Sequence, residues 1–172
     1  MDKKISQELM SFIKKSPTAF HAVENYRQIL NADGFKELLD SEHWDIVPGG
    51  KYYVTRNNTS ILAFKVGTKL DNYSFNIVTS HTDSPTFKVK ENAEIEVKNK
   101  YTQLNTEGYG GMLCATWLDR PLSIAGRVLV SEGNSIVTKL LNIDRDLLMI
   151  PNVAIHMNRA ANDGFKLSLI HI

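Results

Sequence analysis

The sequence predicts an α/β chain: helices and sheet in the first half, a β-rich and barrel-like unit in the second. Three observations predict it. Apolar residues recur at helical spacing through the first fifth of the chain. Strand-like runs then follow the turn cluster Pro48, Gly49 and Gly50. Beyond Pro85 the helical period disappears, and short strand runs alternate with glycines. Residues 1–84 are therefore read as one unit and residues 85–172 as a second.

Ile5, Leu9, Phe12 and Ile13 form one helical stripe, which Pro17 must end because it has no N–H to give and clashes with the preceding turn. Ser16 then suits an N-cap with Pro17 in the first helical position, and Ala19, Val23, Tyr26 and Leu30 make the stripe of a second helix. Gly34 can close it in the left-handed conformation. Residues 51–56 and 60–66 read as the arms of a hairpin turning at Asn57 and Asn58. In residues 73–80, Tyr73, Phe75 and Ile77 point to one side and Val78 to the other, as in a strand covered on both faces.

In the second unit, strands are expected at residues 94–98, 124–130, 135–141 and 152–157. Gly108, Gly110, Gly111, Gly126 and Gly133 would supply the turns and bulges of a small barrel or sandwich.

Charge excludes one class of function. Lys+Arg 20 against Asp+Glu 19 gives a formal net charge of +1 over 172 residues, so no domain-wide basic excess exists to displace counterions from nucleic acid. The 42% hydrophobic content is that of a folded globular protein. A single cysteine, Cys114, can neither close an intrachain disulfide nor build a zinc ribbon. No signal peptide pattern opens the chain and no window approaches a membrane span, so a soluble, cytoplasmic protein without membrane partners is expected.

The sharpest local feature is Ser80-His81-Thr82-Asp83-Ser84-Pro85, at the carboxyl end of the run 73–80, where open α/β sheets place ligands. In extended chain, residues two apart project to the same side, so the His81 imidazole and the Asp83 carboxylate can address one centre. A metal-bound histidine commonly needs a carboxylate on its other ring nitrogen. The residues alone leave two readings open: a turn holding a locally satisfied histidine, the commoner case, or a metal ligand with its orienting partner.

His156 ends an apolar run just where the chain turns polar, a position that either presents it to a site or leaves a histidine whose ring nitrogens are satisfied locally. Cys114, between Leu113 and Ala115, reads as a buried, inert thiol. His21, His43 and His171 lack a carboxylate pattern and receive no role. Serine-hydrolase elbows, helix-borne HExxH zinc motifs and phosphate-binding loops are all missing from the sequence.

Four collinear motifs then point to a family. They are Ser16-Pro17-Thr18-Ala19-Phe20-His21-Ala22-Val23, the Ser80–Pro85 block, Tyr109-Gly110-Gly111 with Trp117-Leu118-Asp119-Arg120 and Leu122 to Val128, and Ile150-Pro151-Asn152-Val153-Ala154-Ile155-His156-Met157-Asn158-Arg159. In order, they resemble the N-terminal part of the aspartyl aminopeptidases, over about Leu9 to Lys166.

The resemblance implies an intracellular zinc aminopeptidase, with two Zn²⁺ per complete active site, that removes N-terminal residues, acidic by preference, from peptide substrates. It implies an α/β catalytic domain interrupted by a β-rich domain that mediates dimer contacts in a homo-oligomer. By resemblance His81 is a zinc ligand and Asp83 the catalytic carboxylate that orients it. His156 is either a further metal ligand or a substrate-binding residue reaching a neighbouring subunit's site. Asp119 and Arg120 are expected to fix a turn. Cobalt and manganese suit the same donors.

The family's second catalytic half is expected to be absent, leaving a truncated chain inactive alone. A non-catalytic dimerisation fragment and an aminopeptidase with neutral specificity are the alternatives.

Overall fold

The computed structural model describes residues 3–72, 74–98, 100–161 and 163. It is a mixed α/β structure. Its elements run α1 (Lys3–Lys15), α2 (Ala19–Ala32), β1 (Lys36–Glu37), β2 (Lys51–Arg56), β3 (Ser60–Lys65), β4 (Thr86–Val97), β5 (Tyr101–Tyr109), a 3₁₀ turn (Cys114–Trp117), β6 (Ala125–Glu132) and β7 (Ser135–Asn142).

Two compact units form: Met1–Asp83 with Ala125–Asn142, and Ser84–Ile124 with Ile143–Ile172. The β6–β7 hairpin thus groups with the first residues of the chain, where a single boundary after residue 84 would set it with the second unit. The Arg127 guanidinium on β6 explains this, lying 4.4 Å from the Phe20 ring centre and donating to the Asn57 carbonyl at 3.3 Å.

In the first unit, α2 begins two residues later than the sequence suggests. Ser16 belongs to the end of α1, its N–H donating to Ile13 O at 3.0 Å, and its hydroxyl accepts from Asn25 Nδ2 at 2.9 Å. Thr18 is the N-cap, extended at φ −139° and ψ 165°, and its hydroxyl oxygen accepts from the His21 N–H at 3.4 Å. At the other end Gly34 has φ 79°. Gly34 N–H donates to Asn31 O and Phe35 N–H to Leu30 O, the paired bonds of a Schellman closure.

The core of this unit lies between α2 and the sheet β1-β2-β3, with β1 parallel and β3 antiparallel to β2. Ala22, Val23 and Tyr53 are buried there, while Tyr52 is buried on the opposite face of β2, its hydroxyl accepting from the Val47 N–H at 3.1 Å. Tyr52 pairs with Phe64 across the ladder, rings 5.6 Å apart. Tyr53 donates to Asn31 Oδ1 at 3.0 Å and lies 3.3 Å from Glu37 Oε2, which also accepts from Arg27 Nη2 at 2.7 Å. That hydrogen bond to Glu37 raises the Arg27 pKa above its ordinary value. The hairpin turn places Asn57 and Asn58 at φ 52° and 55°, the two positive values a type I′ turn requires.

Residues 74–80 correct the sequence reading, since they form no strand, while Tyr73 lies outside the described residues. Phe75, Ile77 and Val78 are 79%, 78% and 96% exposed. A strand exists only through a neighbour's ladder, and β1–β3 supplies none here. The segment's far end is tied down: Thr82 Oγ1 donates to Thr59 O at 2.6 Å.

In the second unit, β4 and β5 pair antiparallel with a register shift between Val89 and Glu94. The expected strand at 94–98 covers only the last part of β4: Phe87 and Val89 alternate with lysines, as Ala93, Ile95 and Val97 do with glutamates, but the period breaks over Lys90–Asn92, where the register shifts. Phe87 meets Trp117 edge-on at 5.1 Å, and isolated bridges join Leu118 to Ile150 and Leu122 to Leu148. The strand expected at residues 152–157 is not formed. Met157 and Asn158 N–H groups both donate to Ala154 O, folding the segment into a turn.

Candidate functional site

His81 and Asp83 meet as the two-residue spacing requires. The His81 Nδ1 to Asp83 Oδ1 distance is 3.0 Å, with side chains 90% and 34% exposed. The pair stands in an open recess lined by Thr79, Ser80, His81, Thr82 and Asp83. Thr82 anchors the recess to the β2–β3 turn, so the chain between two outward side chains is held by the one pointing inward. With Nδ1 engaged by a carboxylate, the tautomer with its proton on Nδ1 is favoured, and Nε2 of an exposed imidazole is left as a donor atom for an electrophile.

His156 is exposed within the 154–158 turn of the other unit, on a turn and not at a strand end. Asp119 and Arg120 do fix a turn: Asp119 has φ 55° and Arg120 Nη1 donates to Thr116 O at 3.3 Å. Cys114 is a free thiol, partly buried at the start of the 3₁₀ turn.

Two histidines set aside from sequence have partners. His43 Nε2 lies 3.7 Å from Asp45 Oδ1, a pair so exposed that it is worth little. His21 Nδ1 lies 2.8 Å from Thr18 Oγ1, and burial lowers its pKa. His171 lies outside the described residues. Spacing within a motif could reveal none of the contacts that depend on residues far apart in the chain, such as Thr82 with Thr59 and Asp119 with Asn152.

Among the described residues no three His, Cys, Asp or Glu side chains converge to hold a metal ion. A zinc centre takes about three or four protein donors, so the donors His81 and Asp83 bring together fall short of a closed site. No helix among the described residues is long and apolar enough to cross a membrane.

An exposed histidine backed by a carboxylate on an α/β framework is compatible with a metal-dependent enzyme but does not by itself define a class. Comparison with known proteins makes the class definite. Residues 12–171 match the model of the aminopeptidase I zinc metalloprotease (M18) family. A "Probable M18 family aminopeptidase 2" of Clostridium novyi is 49% identical over 168 residues, covering 96% of this chain and 39% of that protein. The "Aspartyl aminopeptidase" of Dictyostelium discoideum is 46% identical over 164 residues, covering 94% of this chain and 34% of its own length.

Among solved structures, the Ape4 and Nbr1 complex aligns with a TM-score of 0.87 at 38% identity, over 96% of this chain and 34% of that one. The S. cerevisiae mApe1 dodecamer aligns with a TM-score of 0.76 at 31% identity, over 93% and 37%. The chain belongs to the M18 family of zinc metalloproteases. It spans about two fifths of the length of the curated relatives it matches.

Proposed function

We propose that this chain carries the N-terminal portion of an M18 aminopeptidase that removes N-terminal, preferably acidic, residues from peptides in the cytoplasm. The complete site would use two zinc ions. The observation that carries the reading is the His81–Asp83 pair at 3.0 Å within a family of zinc metalloproteases.

His81 would offer Nε2 to a metal, and Asp83 would hold the ring in the matching tautomer and raise its basicity. His156 would serve either as a further ligand or as a substrate contact delivered to a neighbouring subunit. In this reading residues 1–84 belong to the catalytic domain, and residues 85–172 form the barrel-like dimerisation domain of a homo-oligomer. Because the donors in the described residues do not close a metal site, these 172 residues alone are expected to be inactive.

The test compares this chain with an enzyme of the relatives' full length carrying the same sequence, assayed on Asp- and Leu-derivatised substrates. The longer enzyme should turn over the Asp substrate faster, and the 172-residue chain should show no turnover above buffer. In the longer enzyme His81→Ala should lose activity and metal together. Asp83→Asn should cost about 10 to 100-fold in activity with a smaller loss of metal. Full activity of His81→Ala at matched zinc would overturn the assignment, and preference for the Leu substrate would overturn the acidic specificity.

A further inference from the structure

Asp119 directly follows Leu118, which ends the 3₁₀ turn and bridges to Ile150, and it lies in the left-handed region at φ 55°. Its own N–H donates to Ile150 O at 3.0 Å, and its carboxylate Oδ1 accepts from the Asn152 N–H at 2.7 Å. The two bonds grip the chain on either side of Pro151, which has no N–H to contribute. The first is of ordinary length, and the second is short and has an ionised acceptor, which makes it stronger than a neutral bond.

From Asn152 the chain reaches His156 through further local bonds. The Val153 N–H donates to Asn152 Oδ1 at 3.1 Å, and the Met157 and Asn158 N–H groups converge on Ala154 O at 2.8 and 3.2 Å. On the other side of the clamp the footing is firm. Ile150 is buried, and Trp117, two residues before Asp119, packs edge-on against Phe87 of β4. A continuous series of contacts therefore leads from the β4–β5 hairpin, through Asp119, to the turn that carries an exposed histidine.

We propose that Asp119 is a positioning residue for His156, its carboxylate holding the 150–152 segment so that the following turn presents the imidazole in one place. This rests on the reading of His156 as a group that reaches metal or substrate. A residue needed only to make the turn must tolerate positive φ, which glycine does without cost. A clamp must also offer an oxygen to the Asn152 N–H. Asparagine meets both needs, since it tolerates the left-handed region and keeps an acceptor oxygen. Glycine meets the first alone.

The experiment uses an enzyme of the relatives' full length carrying this sequence, with Asp119→Gly, Asp119→Asn, His156→Ala and the Asp119→Gly/His156→Ala double variant. Asp119→Gly should lower kcat by about 10 to 100-fold with the oligomer intact, the loss expected when a reacting group is misplaced by a fraction of an ångström to an ångström. Asp119→Asn should stay within about threefold of the parent, as its amide oxygen replaces the carboxylate. In the His156→Ala background Asp119→Gly should cost nothing further, because the two act as one unit.

Parent-like activity of Asp119→Gly beside an impaired His156→Ala overturns the clamp alone. An equal loss in the His156→Ala background shows that Asp119 acts elsewhere, and overturns it too. Parent-like activity of His156→Ala removes the reading of His156 and the clamp with it. If Asp119→Gly fails to assemble, Asn152→Pro, which deletes the clamped N–H and leaves Asp119 in place, is judged by the same outcomes.

Discussion

Tyr53 and Val78 both lie on segments that the sequence marks as strands, yet one is 1% exposed and the other 96%. Around Tyr53, helix α2 covers the sheet, β1 and β3 flank it, and its hydroxyl finds Asn31 and Glu37. Residues 74–80 have no such frame among the described residues and remain extended, without a strand ladder. The contrast separates two properties that a hydrophobic pattern merges. Alternation records which residues call for cover, whereas a strand and a core require neighbours that provide it.

The difference has a functional side, because the His81–Asp83 pair grows from the uncovered segment. Its geometry survives without the ladder, since it depends on a two-residue spacing and on one anchor, Thr82 to Thr59 O. The local contact forms where long-range packing does not.

The largest expected effect comes from breaking the covered region. Tyr53→Ala removes a fully buried ring and strands the partners of its hydroxyl, and should lower stability by about 3–5 kcal/mol, the range for large aromatic truncations. Urea unfolding followed by circular dichroism measures it through the midpoint. A loss below about 1 kcal/mol would show that the α2–sheet layer is not the core of this unit.

Legibility from sequence follows the same division. The two helices, the β2–β3 hairpin with its asparagine turn, and the β6–β7 hairpin are readable because their signals are local: apolar period, Pro17, Gly34 and paired turn residues. The His81–Asp83 contact is readable for the same reason. The N-cap falls on Thr18 and not on Ser16 because Ser16 is engaged in ending α1, a competition between neighbouring residues that propensity does not resolve.

Strand β5 leaves no mark in the sequence because Tyr101–Tyr109 has no sustained apolar alternation, and the turn at 154–158 reads as a strand because its apolar run is visible while its lack of a partner is not. The clamp at Asp119 joins residues 33 apart in the chain, a distance at which a single sequence carries no signal.

A smaller effect tests the packing at the start of α2. Burial lowers the His21 pKa below its ordinary 6.5, so the folded chain binds this proton less readily than the unfolded chain. The sign follows: the contribution is present above the ordinary value and is lost as pH falls through 6.5 toward the lowered folded value. The urea midpoint should therefore decline between about pH 7.5 and 5.5, and His21→Gln, which cannot titrate there, should flatten part of that decline. An unchanged slope in His21→Gln would show that other groups carry the pH dependence of this unit.

The smallest effect falls on the uncovered segment, and it sharpens the comparison most. Val78→Lys replaces an apolar side chain that is 96% exposed, so in this chain no buried contact is lost and no charge is desolvated. Its stability should stay within about 0.5 kcal/mol of the parent, the range for surface substitutions. Self-association should decrease, because Phe75, Ile77 and Val78 together present an apolar stretch to solvent and the lysine interrupts it. Sedimentation velocity at matched concentration reads that change.

The same substitution in an enzyme of the relatives' full length is the other half of the test. If the remaining three fifths of such an enzyme supply the ladder and cover that residues 74–80 lack here, Val78→Lys would place an unpaired ammonium inside a packed sheet, and the cost should rise to several kcal/mol. Equal and negligible costs in both contexts would mean that the segment is a solvent-facing connection in its own right. Its apolar pattern would then need an explanation other than a strand, and the recess beside His81 would be open on that side in the complete enzyme as well.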